Sequence, residues 1–272
     1  MKIKPFLRWA GGKQNLVNEL LKNSPKDANI NTYFEPFVGA GTLFFANGFS
    51  KALISDINPQ LINAYSHIKT DYNKVYELIL EYNKNFNNNS EFYYKLRDKY
   101  NKERNNFDHI QAARFIFLIH TNYNGMYRVN KAGEYNVPIG KLKPCIPSFS
   151  DFNRISEKMK NTKIECFDYK EVIKFVGKND FVYFDPPYPP LDWSNPQNQF
   201  TIQNFRKEDH EETALFADEL DRMGCYVMIS YPDIQFIKVL YSKWNIVTLD
   251  NFRSISCKKQ RGKISELLIK NY

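Results

Sequence analysis

Short apolar runs with strand character recur along the chain at residues 31–35 (NTYFE), 51–55 (KALIS), 163–167 (KIECF), 181–184 (FVYF), 225–230 (CYVMIS), 244–249 (WNIVTL) and 264–270. Between several of them the apolar positions change to helical spacing. Leu16, Val17, Leu20 and Leu21 do so within 12–22, and Leu215, Phe216 and Leu220 within 208–223, a stretch that starts with acidic residues. Strands alternating with helices predict an α/β sheet with helices on its faces. The middle of the chain breaks the alternation. Residues 57–120 carry a helical pattern throughout, and 121–150 is irregular and rich in Gly, Pro and Asn. A helical, loop-rich block between early and late parts of one sheet predicts a core of residues 1–60 and 155–272 with a separate module, 61–154, inserted in it. The patch EYNKNFNNNS reads as an exposed connection between two helices, and no internal repeat is visible.

At 272 residues with 43% hydrophobic content, the chain has ample material for a large core. Its formal charge of +8 leans toward a polyanionic partner. The abundant Lys, Asn, Ile, Tyr and Phe are all encoded by A/T-rich codons, so genome composition accounts for part of that lean, and charge alone leaves the partner open. Cys145, Cys166, Cys225 and Cys257 lie far apart without a C-x-x-C pair, and the four His are dispersed, so no zinc spacing appears and no metal is expected. The thiols read as reduced and cytosolic. The start MKIKPFLRWAGGK has no signal-like apolar segment and no later run approaches a membrane span, which predicts a soluble, cytoplasmic protein.

Three stretches carry candidate chemistry. In FVYFDPPY a buried-looking strand stops at Asp185-Pro186-Pro187-Tyr188. Two prolines end any strand ladder, so the segment is either a strand-ending turn with Tyr188 tucked beneath it, or a rigid platform at the carboxyl edge of a sheet. Open α/β sheets bind their ligands at that edge. In FEPFVGAGTLFF, Gly39 and Gly41 precede a helix beginning near Thr42. They suit close approach of a ligand at a helix N-terminus, or equally tight strand–helix packing, and the third glycine of the dinucleotide fingerprint is missing. In ISDINP, Asp56 ends the next strand, where an acid commonly holds ribose hydroxyls; the alternative is an N-cap, which Asn58-Pro59 can also serve. Together these two stretches outline a nucleoside pocket.

The order RWAGGK (8–13), FEPFVGAG (34–41), SDIN (55–58), a helical insertion, NYNGMYRVNKAGEYNVPIGK (122–141) and DPPY (185–188) resembles the Dam-type, D12 class DNA adenine-N6 methyltransferases over nearly the whole chain. That family includes orphan Dam enzymes and GATC-modifying members of restriction–modification systems. The resemblance implies a Rossmann-like core dependent on S-adenosylmethionine, an inserted target-recognition module, and double-stranded DNA as the partner of a monomer. It implies that Trp9, Lys13, Phe37, Gly39, Gly41, Asp56, Asp168, Tyr169 and Asp185 meet the cofactor. A lysine suits the methionine carboxylate and a flat ring suits the sulfonium; a core Trp and a surface Lys are the alternatives. Asp185, Pro186, Pro187 and Tyr188 become the catalytic group. The carboxylate and the Pro186 carbonyl accept hydrogen bonds from adenine N6, and Tyr188 stacks on a base that has left the helix. Arg8, Tyr123, Asn124, Met126, Arg128, Asn130 and Pro138 become the DNA readers, with Tyr123 a wedge, Arg128 matched to guanine and Pro138 to thymine. Taken singly, each is also a core aromatic, a surface cation or a turn proline.

The sequence departs from that pattern in places. His120 stands at a family arginine position, Leu142 where some members place tyrosine, and Tyr231 where relatives carry Asn. The stretch PPLDWSNPQNQFTIQNF lacks the usual F-T-x-Y and is shortened. These changes bear on the target sequence and on the flipped state more than on chemistry. The rival readings are an RNA methyltransferase acting on an exocyclic amine, since RNA guanine-N2 enzymes share D-P-P-Y, and a catalytically silent DNA-binding module.

Overall fold

A computed structural model describes residues 3–26, 30–87, 89–141, 144–189, 205–249 and 265–272. Seven strands form one sheet in the order β3-β2-β1-β4-β5-β7-β6. They are β1 (Tyr33–Glu35), β2 (Ala52–Asp56), β3 (Thr162–Cys166), β4 (Phe181–Phe184), β5 (Tyr226–Pro232), β6 (Asn245–Leu249) and β7 (Glu266–Lys270). All seven apolar runs are therefore strands. By its contacts the chain divides into two compact units. The first holds Met1–Gln14, Val38–Asn47 and Ile54–Phe167, and the second Asn15–Phe37, Gly48–Leu53 and Asp168–Tyr272.

In the second unit β4 runs parallel to β1, with Tyr33 opposite Phe181, and parallel to β5, with Phe181 opposite Tyr226. Every residue of β1 and β4 is buried. A parallel strand covered on both faces has no solvent side, which is why FVYF reads as an unbroken apolar run. The last strand, β7, inserts antiparallel between β5 and β6. Helix α7 (Lys207–Arg222) packs on β5 through the face carrying Phe216 and Leu220. The segment at 12–22 is a single 3₁₀ turn, Gln14–Leu16, followed by α1 (Val17–Asn23).

The first unit contains α2 (Thr42–Ala46) and the helical block between β2 and β3: α3 (Pro59–Phe86), α4 (Ser90–Lys102), α5 (His109–Thr121) and α6 (Phe149–Met159). From Gln111 to Thr121 every residue of α5 is buried. A helix buried on all sides has to be surrounded, and α5 packs against α3 and α4. Its Phe117 ring meets Tyr82, Phe86 and Phe92 at centroid distances of 5.9, 5.6 and 6.3 Å. The apparently continuous helix of 57–120 is broken by short connections and by a kink at Asp71, whose φ of −154° is extended. Most of EYNKNFNNNS is itself helix, since α3 runs on to Phe86; Asn87 ends it in the left-handed region and Asn89 caps α4.

No helix among the described residues is long and apolar enough to cross a membrane. Cys145, Cys166 and Cys225 are free thiols, and among the described residues no cluster of His, Cys, Asp and Glu is placed to hold a metal ion.

Candidate active site and nucleic-acid interface

In the first unit the pieces of RWAGGK, VGAG and SDIN come together. Asp56 Oδ2 accepts a hydrogen bond from the Gly39 N–H at 3.2 Å, and Oδ1 accepts from the Asn58 N–H at 3.0 Å. The N-cap of α3 is Asn58, whose Oδ1 accepts from Gln60 N and Leu61 N, with Pro59 at the first helical position. Asp56 is thus relieved of capping. Burial pushes its carboxyl up to about 6, against the pull of the Asn58, Gly39 and Ile57 N–H groups.

Both glycines are explained by protein neighbours. A Cβ at Gly39 would lie 3.1 Å from Trp9 Nε1, and one at Gly41 would lie 2.8 Å from the Tyr65 hydroxyl, which donates to the Gly39 carbonyl at 3.0 Å. Close neighbours and a left-handed backbone, at φ 45° and 66°, each call for glycine there, and α2 itself is only five residues long. Trp9 is half-buried, and its ring stacks on Tyr127 at 6.0 Å and 17°. The Tyr127 hydroxyl interacts with Tyr100 and Asn58, and burial raises its pKa. Tyr127 was not among the residues singled out from sequence. Lys13 is 3% exposed, not a surface lysine, and its Nζ donates to the Gly11 carbonyl at 3.3 Å.

In the second unit, Phe37 stacks on Tyr169 at 5.0 Å and 27°, and both lie against Phe184. Asp168 caps the 3₁₀ turn Tyr169–Lys174 by accepting from Lys170 N at 3.0 Å. Because β1 and β4 are parallel, the residues that follow them emerge at the same edge. There Asp185 is half-buried, Pro186 buried, and Pro187 and Tyr188 half-buried. Burial first, then the charge of Asp185, with smaller contributions from Glu35 and Glu266, holds the Tyr183 phenol well above its usual range. Tyr183 shares a 2.8 Å hydrogen bond with Ser230, and Tyr33 donates to Glu35 at 2.6 Å. The Tyr188 hydroxyl donates to the Glu266 carboxylate. Neither Glu35 nor Glu266 stood out in the sequence, where each reads as one acid in an apolar run.

The irregular stretch after α5 is a braced loop in the first unit. Tyr123–Gly125 forms a 3₁₀ turn with Asn124 in the left-handed region at φ 59°. A Cβ at Gly125 would lie 2.5 Å from the Arg8 carbonyl oxygen, and Ala10 N donates to the Gly125 carbonyl at 2.9 Å. Tyr123 N donates to the Pro138 carbonyl, and Asn122 bridges to Ile139. Between them Val129 pairs with Tyr135 in an antiparallel hairpin. Asn130 closes its tip, its Oδ1 accepting from Ala132 N and Glu134 N. Asn124, Arg128 and Pro138 are exposed; Arg8, Tyr123 and Met126 are half-buried. Arg128 Nε donates to Asn136 Oδ1 at 2.8 Å, which leaves its two Nη groups as the outward fork.

Two of the departures have structural roles. Buried His120 makes a 2.8 Å hydrogen bond to the Phe6 carbonyl through Nε2, and burial lowers its pKa. Buried Tyr231 pairs its hydroxyl with His210 Nδ1 at 2.9 Å. Leu142 and most of the segment after Pro189 lie outside the described residues.

The family model of the D12 class N6 adenine-specific DNA methyltransferases matches residues 9–255. A type II methyltransferase of Methanocaldococcus jannaschii is 40% identical over the full length of both chains. Another type II methyltransferase, from Lactococcus lactis subsp. cremoris, is 34% identical over 100% of this chain and 96% of its own. The DNA adenine methylase of Escherichia coli is 32% identical over 98% of this chain and 95% of its own. Matches of this extent set aside both the RNA reading and the catalytically silent one. The chain belongs to the D12 class of N6 adenine-specific DNA methyltransferases and is a site-specific adenine DNA methyltransferase.

Proposed function

We propose that the enzyme methylates adenine within GATC in double-stranded DNA, that it flips the base out of the helix, and that the donor is S-adenosylmethionine. When bound, the donor supplies a methyl group made electrophilic by a positively charged sulfur. Asp56 would hold its ribose hydroxyls, Trp9 and Lys13 its methionine end, and Phe37, Asp168 and Tyr169 its adenine; Gly39 and Gly41 shape the backbone that carries Asp56.

The observation that carries this reading is the wholly buried strand β4 ending in a half-buried carboxylate locked by two prolines. The N6 lone pair of adenine is delocalised into the ring, so the amine is a poor nucleophile. Asp185 and the Pro186 carbonyl accept from its two protons, and this favours a pyramidal nitrogen whose lone pair is free for the methyl group. Fixed acceptors need no reorganisation as charge develops, and that supplies much of the rate. Pro187 keeps the turn rigid and Tyr188 offers its face to the extruded base. The exposed Arg128, Asn124 and Pro138 suit readers of base edges, with Tyr123 as the wedge on a turn braced by Arg8. Met126 lies beside them, and Asn130 supports the loop.

Transfer of labelled methyl groups to a GATC duplex and to duplexes altered one base at a time, followed by nucleoside analysis, tests the proposal. Label is expected as N6-methyladenine in GATC alone. Equal labelling of the altered duplexes would remove the assigned target. Asp185→Ala is expected to lower turnover about a hundredfold or more while donor binding persists. Near-normal turnover in that variant would dismiss Asp185 from the chemistry.

A further inference from the structure

Glu266 is 1% exposed, and the three strand residues that follow it, Leu267, Leu268 and Ile269, are apolar and buried. Removing a carboxylate from water is costly unless strong hydrogen bonds replace the lost hydration. Its backbone is fixed on both sides, opposite Pro232 on β5 and Leu249 on β6, so the side chain projects from a rigid mount. The Tyr188 hydroxyl donates to that carboxylate. Tyr188 is thereby held at two ends, by the prolines that lead into it and by its own phenol. Its ring stands 6.4 Å from that of Tyr231 at an angle of 39°. Tyr231 is buried and hydrogen-bonded to His210, so it forms a firm wall.

We propose that Glu266 is a positioning residue for methyl transfer: its carboxylate fixes the tilt of the Tyr188 ring, and so the plane in which the extruded adenine meets Asp185 and Pro186. This rests on the reading that Tyr188 stacks on the target base. A charged acceptor makes a stronger and more directional bond than a neutral one. A ring anchored only at its Cβ end would present the adenine amine over a range of angles. Misplacement of a reacting group by about an ångström is enough to cost roughly a hundredfold in rate.

The test is a mutant cycle on the full chain with Tyr188→Phe, which loses only the hydroxyl, and Glu266→Leu, which removes the acceptor without leaving a buried charge. Each single variant is expected to lower kcat about tenfold, within the range set by misplacement, while the KM for DNA and the affinity for S-adenosylmethionine stay nearly unchanged. The double variant is expected to be no slower than the slower single variant, because both changes break the bond the two residues share. Glu266→Gln, which keeps a neutral acceptor, is expected to recover part of the loss. Multiplied losses in the double variant would overturn the proposal. So would a Glu266→Leu protein whose donor affinity falls along with kcat, since that marks a general structural role. If Glu266→Leu does not fold, Tyr188→Phe with Glu266→Gln supplies the same cycle. Tyr188→Ala separates the two readings. Normal turnover there removes base stacking and the proposal with it. A large loss there, with Tyr188→Phe and Glu266→Leu both normal, leaves stacking in place and removes only the role of Glu266.

Discussion

At Asp56, burial and three backbone N–H groups pull the carboxyl pKa in opposite directions, and burial wins, leaving it at about 6. An unfolded aspartate titrates near 3.8. Between those two values the folded protein binds more protons than the unfolded chain, so stability falls as pH rises from about 4 to about 6 and then levels. Asp56→Asn removes the charge and keeps an oxygen able to accept from the Gly39 and Asn58 N–H groups. It is expected to stabilise the ligand-free protein by about 1–3 kcal/mol at neutral pH, with the gain fading toward about pH 4. The same change is expected to weaken donor binding at least about tenfold, because a carboxylate accepts from two hydroxyls better than an amide does. Unfolding curves at several pH values together with calorimetric titration check both halves. A loss of stability at neutral pH would show that the carboxylate serves the fold. In the sequence Asp56 stood between a cap and a ligand group, and the structure gives the cap to Asn58. Glu266 was not legible at all, because its partner lies 78 positions away and no local pattern links them.

At the scale of elements, the hairpin that follows α5 owes its position to the helices rather than to its own ladder. Asn101 on α4 takes both backbone groups of Tyr135: Nδ2 donates to its carbonyl at 3.0 Å, and Oδ1 accepts from its N–H at 2.8 Å. Tyr93 donates to the Val137 carbonyl at 2.9 Å, and Asn122 Nδ2 reaches the Met126 carbonyl. Asn101→Ala leaves the two groups of a buried residue without these partners, at a cost of about 1–3 kcal/mol each where water cannot enter. Amide exchange across 126–139 is expected to quicken, and discrimination between GATC and altered duplexes to narrow, while donor affinity stays unchanged. Unchanged exchange in the hairpin would mean that its own turn suffices. The seven strands and the helical block were legible because buried runs and helical spacing are local signals. The hairpin was not. Its own ladder is a pair of isolated bridges, and side chains 34 and 44 positions distant along the chain hold it.

For the whole molecule, the balance of 38 basic against 30 acidic residues acquires a partner once DNA is the substrate. Duplex DNA carries condensed counterions, and each phosphate neutralised by a Lys or Arg releases one of them. Affinity should therefore fall linearly with salt on logarithmic axes, roughly tenfold or more between about 50 and about 200 mM. Binding of the donor carries no such slope. Many of the exposed cations are already engaged with acids, as Lys74 is with Asp71, Lys95 with Glu91 and Lys243 with Asp218. The slope should accordingly report a small set of phosphate contacts and not the whole net charge. Arg128 provides the internal control, because its Nε is taken by Asn136 and only the fork is offered outward. If the fork reads guanine O6 and N7, Arg128→Ala should cost about 1–3 kcal/mol of discrimination at one guanine position and leave the salt slope as it was. If the fork instead meets a phosphate, all duplexes should weaken alike and the slope should lessen by about one. Filter binding across a salt series, combined with kcat/KM on GATC and singly altered duplexes, separates the two. A reduced slope with intact discrimination would move Arg128 from the base edge to the backbone.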